Sequence, residues 1–135
     1  MFDCLFCKIA GKNIPASVVF ENDAALAFLD IHPCAPGHAV VIPKRHAESV
    51  LDVPDEELGP VFQAVKEVTH RLTKALAPDG FTIGVNHKLH AGVDHFHIHV
   101  IPRWKNDGGG SIHTVVQNPG TESFEAVKER ILGSF

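Results

Sequence analysis

The chain has 135 residues, the size of one compact domain, with 44% hydrophobic against 21% charged residues, so it can bury a core and stay dispersed in water. Its formal net charge of -4 argues against broad, charge-driven nucleic-acid binding, which needs a basic face, and leaves room for a small local anion site. The start, "MFDCLFCKIAGK", lacks the basic head and apolar run of a signal peptide. No stretch approaches the roughly 18 apolar residues needed to span a bilayer, so a cytoplasmic protein with no membrane partner is expected. In that reducing setting Cys4, Cys7 and Cys34, an odd count, should not form structural disulfides.

In chain order, "SVVFENDAALAFLDI" (17–31) reads as a hairpin, with "VVF" and "ALAFL" as strands and Glu21-Asn22-Asp23 as the turn. "HPCAPG" is a loop whose Pro36-Gly37 suits the centre of a type II turn, and "HAVVIP" (38–43) is a third strand. Residues 51–77 form a long helix, since Leu58, Val61, Phe62, Val65, Val68, Leu72 and Leu76 recur at three- and four-residue spacing. Asp52 is the expected N-cap, Asp55 falls in the first turn, and Pro60 predicts a kink or a main helix starting near 60. Pro78-Asp79-Gly80 ends it, and "FTIGVN" (81–86) is a fourth strand. "DHFHIHVIP" (94–102) is the fifth, "KNDGGGS" a flexible loop, 112–116 a short extra strand, and 122–132 a C-terminal helix that Thr121 would cap. Strands joined by short hairpins at both ends of one long helix favour an α+β fold with an antiparallel sheet.

Ten histidines in one small chain are an excess, and four of them fall within 90–99. If 94–102 is extended, His95, His97 and His99 share one face, while Phe96, Ile98 and Val100 pack on the core. Same-face neighbours then stand roughly 6.6–6.8 Å apart, and the three imidazoles make a strip about 13 Å long that can follow an extended anion such as a polyphosphate. A solvated strand face usually carries Thr, Lys, Glu or Ser, so ordinary solvation explains this row poorly. Metal binding by at least one histidine stays open, because an H-x-H pair on a strand suits it. Cys4-x-x-Cys7 alone is a weak zinc signal, and the strand–helix context of a redox motif is absent.

"HFHIHVIPR" resembles the histidine-triad (HIT) motif, and "CLFCKIAGKNIPASVVFENDAALAFLDIHPCAPGHAVVIPKRH" resembles the opening of histidine-triad nucleotide-binding proteins. The resemblance covers about Cys4 to Trp104 and fades beyond, implying one HIT domain over 1–135 with its core at 4–104 and a variable segment at 105–135. It implies a HIT-like fold: an α+β domain with about five antiparallel strands, one long helix and a C-terminal helix. It also implies a nucleotide-binding hydrolase or nucleotidyl transferase cleaving at the α-phosphorus through a nucleotidyl-histidine intermediate. His97 matches the nucleophile, and a neutral imidazole held in one tautomer is a good nucleophile toward phosphorus at neutral pH. His99 and His38 match groups that hold phosphate oxygens and assist charge stabilisation or proton transfer. Asp30 matches the ribose-binding acid, Asn86 a phosphate contact, and Leu5, Phe6, Ile9, Phe28 and Ile31 the apolar slot for a purine base. Without the resemblance those apolar residues would read as ordinary core.

A zinc-bearing branch of the family places its four ligands at positions matching Cys4, Cys7, His46 and His95, all present here; the competing reading is two buried thiols and a surface His46. Homodimers formed through the long helix are a further implication. Many hydrolase members carry Gly-Gln shortly before the first triad histidine, where this chain has His90-Ala91-Gly92-Val93-Asp94. "GVDHFHIHVIPRW" resembles more the branch that includes diadenosine-polyphosphate phosphorylases, which leaves open hydrolase against phosphorylase and the leaving group, as phosphoramidate, adenylate or dinucleoside polyphosphate, with His90 or Lys88 as the replacement donor. The missing glutamine also gives weight to a second reading, a nucleotide-binding regulatory or interaction protein with weak or no turnover.

Overall fold

A computed structural model of the chain describes residues 3–89 and 92–135; His90, proposed above as a donor, lies outside the described residues. Five antiparallel strands form one sheet: β1 (Val18–Glu21), β2 (Ala25–Leu29), β3 (Ala39–Pro43), β4 (Gly80–Gly84) and β5 (Ile98–Arg103), in spatial order β1-β2-β3-β5-β4. Three α-helices accompany it: α1 (Leu5–Ala10), α2 (Asp55–Leu76) and α3 (Phe124–Leu132). The expected α+β architecture is the observed one.

The central strands are covered on both faces, and alternation divides their side chains between two clusters. Ala25, Ala27, Ala39, Val41, Ile98 and Val100 meet the Val61, Ala64, Val65, Val68 and Leu72 face of α2. On the opposite face Leu26, Phe28, Val40 and Ile42 pack against Phe6 and Ile9 of α1. Leu26, Ile42 and Ile98 are fully buried, each contributing about 1.5–3 kcal/mol of transfer free energy. The β1–β2 turn falls on Asn22, whose Oδ1 accepts from the Ala24 and Ala25 amides and whose Nδ2 donates to the Pro60 carbonyl. One side chain thereby ties the hairpin to α2.

Several local expectations are corrected. Pro60 lies inside one 22-residue helix, Asp55–Leu76, so the main helix does not start near 60. Gly59 precedes the proline, so the usual clash of the pyrrolidine with a preceding Cβ does not arise. Asp52 is not the cap of α2. Ser49 and Asp52 form a capping box on a separate 3-10 turn, Val50–Asp52, and Pro54 stands at the N-cap of α2. Strand β4 ends at Gly84, so Asn86 lies beyond it. Residues 112–116 contain a 3-10 turn, Ile112–Thr114, instead of a strand, and Ser123, not Thr121, caps α3. The "KNDGGGS" segment is pinned: the Arg103 guanidinium donates to both Asp107 carboxylate oxygens, to Thr82 Oγ1 and to the Gly110 carbonyl.

The largest shift concerns the fifth strand, expected from 94 but starting at Ile98. The register pairs Ala39 with Val100 and Val41 with Ile98, which sets Pro43 opposite Phe96. Proline has no N–H to give, and its carbonyl is already taken by the His95 ring at 2.8 Å, so the ladder stops short. His95 and His97 therefore precede the strand, and only His99 lies on it.

Candidate functional site

Despite the shorter strand, the three histidines keep one side, away from α2, while Phe96, Ile98 and Val100 face it. His97 and His99 stack edge to face with ring centroids 5.0 Å apart, and the Phe6 and His97 rings are likewise T-shaped with centroids 5.1 Å apart. His97 Nδ1 lies 2.6 Å from the His95 carbonyl, which only accepts, so in the neutral ring Nδ1 carries the proton and Nε2 keeps its lone pair. Gly92 flanks that nitrogen: with φ +94, a Cβ placed there would stand 3.9 Å from His97 Nε2. His97 also lines a polar cavity of about 400 Å³ with Glu48, Asn86, Lys88, Leu89, Val93 and Asp94.

A second chain of bonds fixes the other two histidines. The Cys34 amide donates to His38 Nδ1 at 3.0 Å, leaving the proton on His38 Nε2. That nitrogen lies 2.9 Å from His99 Nδ1, which must accept, so the neutral His99 ring carries its proton on Nε2. Asp30 Oδ2 sits 3.6 Å from His38 Nε2 and 3.9 Å from His99 Nδ1, while its Oδ1 accepts from the His32 amide. Burial pushes the pKa of His38 down, opposed by the Asp30 charge. Burial also lowers that of His99, with His97 and His38 adding to the effect and Asp30 opposing it. Asp30, His38 and His99 are close enough to suggest a metal, but the Cys34 N–H leaves His38 Nε2 protonated and without a lone pair to offer.

Leu5, Phe6, Ile9, Phe28, Asp30 and Ile31 line one apolar cleft of about 150 Å³. Ile14, Pro15, Ala16, Leu29 and Val40 complete it and were not anticipated as lining; the first three sit in "NIPAS", a plain loop string, and Leu29 and Val40 read only as strand residues of "ALAFL" and "HAVVIP". Gly92 and Glu48 were also missed. Asn86 is exposed and reaches the cavity beside His97, not the apolar cleft.

Cys4, Cys7, His46 and His95 form a separate cluster whose four ligand atoms lie within 4.8 Å of one another. Cys7 Sγ is 3.2 Å from His46 Nδ1, and His95 Nδ1 is 3.4 Å from Cys4 Sγ and 3.5 Å from Cys7 Sγ. His95 Nε2–H donates to the Pro43 carbonyl, which leaves its Nδ1 lone pair aimed at the sulfurs. Two thiols and two imidazoles, one already oriented by an outer carbonyl, fit a tetrahedral divalent ion such as zinc. Burial, with the Cys4 thiol adding to it, pushes the Cys7 thiol up. His46 is half-buried, not a free surface residue.

Among the described residues, no helix is long and apolar enough to cross a membrane. A family model described as HIT domain matches residues 11–106. An uncharacterized HIT-like protein of Borreliella burgdorferi is 40% identical over 135 residues, covering 97% of each chain. The adenosine 5'-monophosphoramidase of Schizosaccharomyces pombe is 36% identical over 130 residues, covering 95% of each. A HIT-family structure from Bacillus subtilis superposes with a TM-score of 0.83 at 34% identity, covering 98% of this chain and 97% of that one. A zinc-bound histidine-triad protein from Mycobacterium smegmatis gives a TM-score of 0.75 at 30% identity, covering 88% of this chain and 85% of that one.

Proposed function

The chain belongs to the HIT-domain family, and from that premise we propose that it is a cytoplasmic hydrolase or nucleotidyl transferase acting at the α-phosphorus of a purine nucleotide conjugate. The carrying observation is the His97 Nδ1–H bond to the His95 carbonyl, which leaves an unprotonated Nε2 beside an open polar cavity. In the first step that lone pair forms the P–Nε2 bond while the bond from phosphorus to the leaving group breaks. In the second, water forms the new P–O bond, the P–Nε2 bond breaks, and the nucleoside monophosphate leaves. His99, with His38 behind it, presents an N–H to the phosphate oxygens, where charge develops. The apolar cleft takes the base, Asp30 at its rim accepts from the ribose hydroxyls, and Asn86 contacts phosphate.

A phosphoramidate is the favoured substrate class, supported by the relative named as an adenosine 5'-monophosphoramidase. Zinc at Cys4, Cys7, His46 and His95 is part of the reading, supported by the donor set and by the zinc-bound neighbour. So is a homodimer, for which exposed Phe62 on α2 and Ile83 on edge strand β4 offer apolar surface. The test mixes the protein with an adenosine phosphoramidate and traps the AMP adduct by rapid acid quench and mass spectrometry. Wild type should form the adduct, and His97→Ala should bind AMP without forming one. A wild type that binds AMP and turns over neither a phosphoramidate nor a dinucleoside polyphosphate would instead make this a nucleotide-binding regulatory protein.

A further inference from the structure

We propose that His95 couples the cysteine–histidine cluster to the nucleophile, so that a thiophilic divalent cation held there sets both the pose of His97 and the shape of the apolar cleft. The cleft half of this rests on the function proposed above; the His97 half does not.

His95 is 1% exposed and engaged at three points. Its Nδ1 faces both thiols, its Nε2–H donates to Pro43, and its carbonyl holds the His97 Nδ1–H. The peptide that carries this carbonyl is also held from its other side, where the Phe96 N–H donates to the Ala47 carbonyl at 2.6 Å, and Ala47 adjoins His46 of the cluster. Both anchors of the peptide thus adjoin cluster residues, so drawing His95 and His46 onto one cation shifts the peptide that fixes His97, while pairing with β3 begins only at Ile98. His97 takes its orientation from the His95 carbonyl and from the Phe6 ring.

Phe6 leads to the second half. It sits on α1 between the two cysteines, and its ring stands 5.4 Å from Phe28, 5.9 Å from His95 and 5.1 Å from His97. The helix has six residues, far below the length at which a helix is stable alone, and Cys4 Sγ caps it by accepting from the Cys7 amide. Leu5, Phe6 and Ile9 of this helix form one wall of the cleft. Without a cation, its cysteine end is held by thiol–imidazole contacts of 3.2–3.5 Å, which are weak. Metal ligation at both cysteines would anchor the helix firmly, and the wall with it.

The experiment compares the zinc-loaded full chain, the same protein stripped by chelator, and a Cys4→Ser/Cys7→Ser variant. The readouts are bound zinc, cooperative melting, AMP affinity by calorimetry, and the His97 tautomer by long-range nitrogen–proton NMR. The tautomer separates coupling from a merely structural role. Loaded protein should show His97 wholly as the Nδ1–H form. The stripped and variant proteins should melt cooperatively, show mixed tautomers, and bind AMP at least about tenfold more weakly. Zinc should restore the stripped wild type and not the variant. If stripping abolishes the cooperative melt, His46→Ala replaces it; this removes one ligand, keeps both thiols, and should give the same mixing. A wild type that takes up no zinc overturns the proposal. So does an unchanged tautomer with AMP affinity within about twofold after stripping. If loaded protein binds no AMP at all, the proposed function fails, while the tautomer still decides the coupling.

Discussion

His38 gives its Nε2–H to His99 Nδ1 across 2.9 Å, and the direction of that bond is set from outside the pair by the Cys34 amide on His38 Nδ1. The two rings therefore work as one unit that turns a backbone N–H in the 32–37 loop into an imidazole N–H beside His97. Groups that act as a unit are non-additive when removed. Alanine at either His38 or His99 should lower kcat by about 10²-fold with a smaller change in KM. The double variant should be little worse than either single one. Steady-state kinetics on an adenosine phosphoramidate checks this, and a double variant whose loss equals the product of the single losses would show two independent groups.

The same pair makes stability depend on pH. Burial holds both rings below the ordinary histidine value of 6.5, to which they return on unfolding. Between the lowered folded pKa and about 6.5 the unfolded chain binds more protons, so stability rises with pH across that window. On acidification from neutrality it is lost progressively below about 6.5, until the folded rings themselves protonate. Asp30 softens the effect by favouring the charged rings. Melting temperatures of metal-loaded protein between about pH 7.5 and 5 should fall accordingly, with a flatter slope in the His38→Ala/His99→Ala protein. Equal slopes would place the linked protons elsewhere.

Much of this site was legible because strand alternation is a strong local signal: His95, His97 and His99 on one side, Phe96, Ile98 and Val100 on the other. Where the strand begins was not legible. That depends on a partner's hydrogen-bonding capacity, and Pro43 is remote in sequence from the histidines. The helix start expected near Pro60 was misplaced for a related reason: the rule concerns an isolated helix, and here Val61, Ala64 and Val65 anchor the turn after the proline in the core, while Gly59 spares the pyrrolidine a preceding Cβ. The β-branched run after Ser111 suggested a strand, but propensity alone builds none, and Ile112–Thr114 takes a 3-10 turn. That Leu5, Phe6, Ile9, Phe28 and Ile31 line one cleft was suggested only by family resemblance, because apolar residues that line a cleft have the composition of a core. The cysteine–histidine cluster was likewise visible only as a set, its members being scattered from residue 4 to residue 95.

The turn that delivers His38 to its partner should be intolerant of any side chain at its centre. Gly37 has φ +81, and the His38 amide closes the turn on the Ala35 carbonyl at 3.1 Å, as expected for the Pro36-Gly37 centre of a type II turn. A Cβ there would meet Leu76 Cδ1 at 2.5 Å and Leu72 Cδ2 at 3.2 Å, both on the last turns of α2. Left-handed backbone alone costs about 1–2 kcal/mol for a non-glycine residue, and displacing the leucines adds to it. Urea unfolding of Gly37→Ala should show a loss of about 2 kcal/mol or more. A loss under about 0.5 kcal/mol would mean that the loop relaxes freely.

Under the proposed function, Gly92 separates access to His97 Nε2 from binding of the nucleotide. Its residue stands beside His97 Nε2 and takes no part in the apolar cleft, so a methyl there crowds the attacking atom and not the base. At 3.9 Å the methyl would sit in ordinary van der Waals contact and leave the His97 ring in place, but it would occupy space that the phosphorus must enter. Displacement of a reacting atom by a fraction of an ångström is costly in rate because attack requires alignment. Gly92→Ala should therefore keep AMP affinity near the wild-type value while single-turnover adduct formation slows by about tenfold or more. The positive φ of +94 adds backbone strain that acts on the loop, which the melting temperature reads separately. Unchanged single-turnover rates would mean that the phosphorus reaches His97 from another side, and weakened AMP binding at an unchanged rate would move Gly92 to the nucleotide-binding surface.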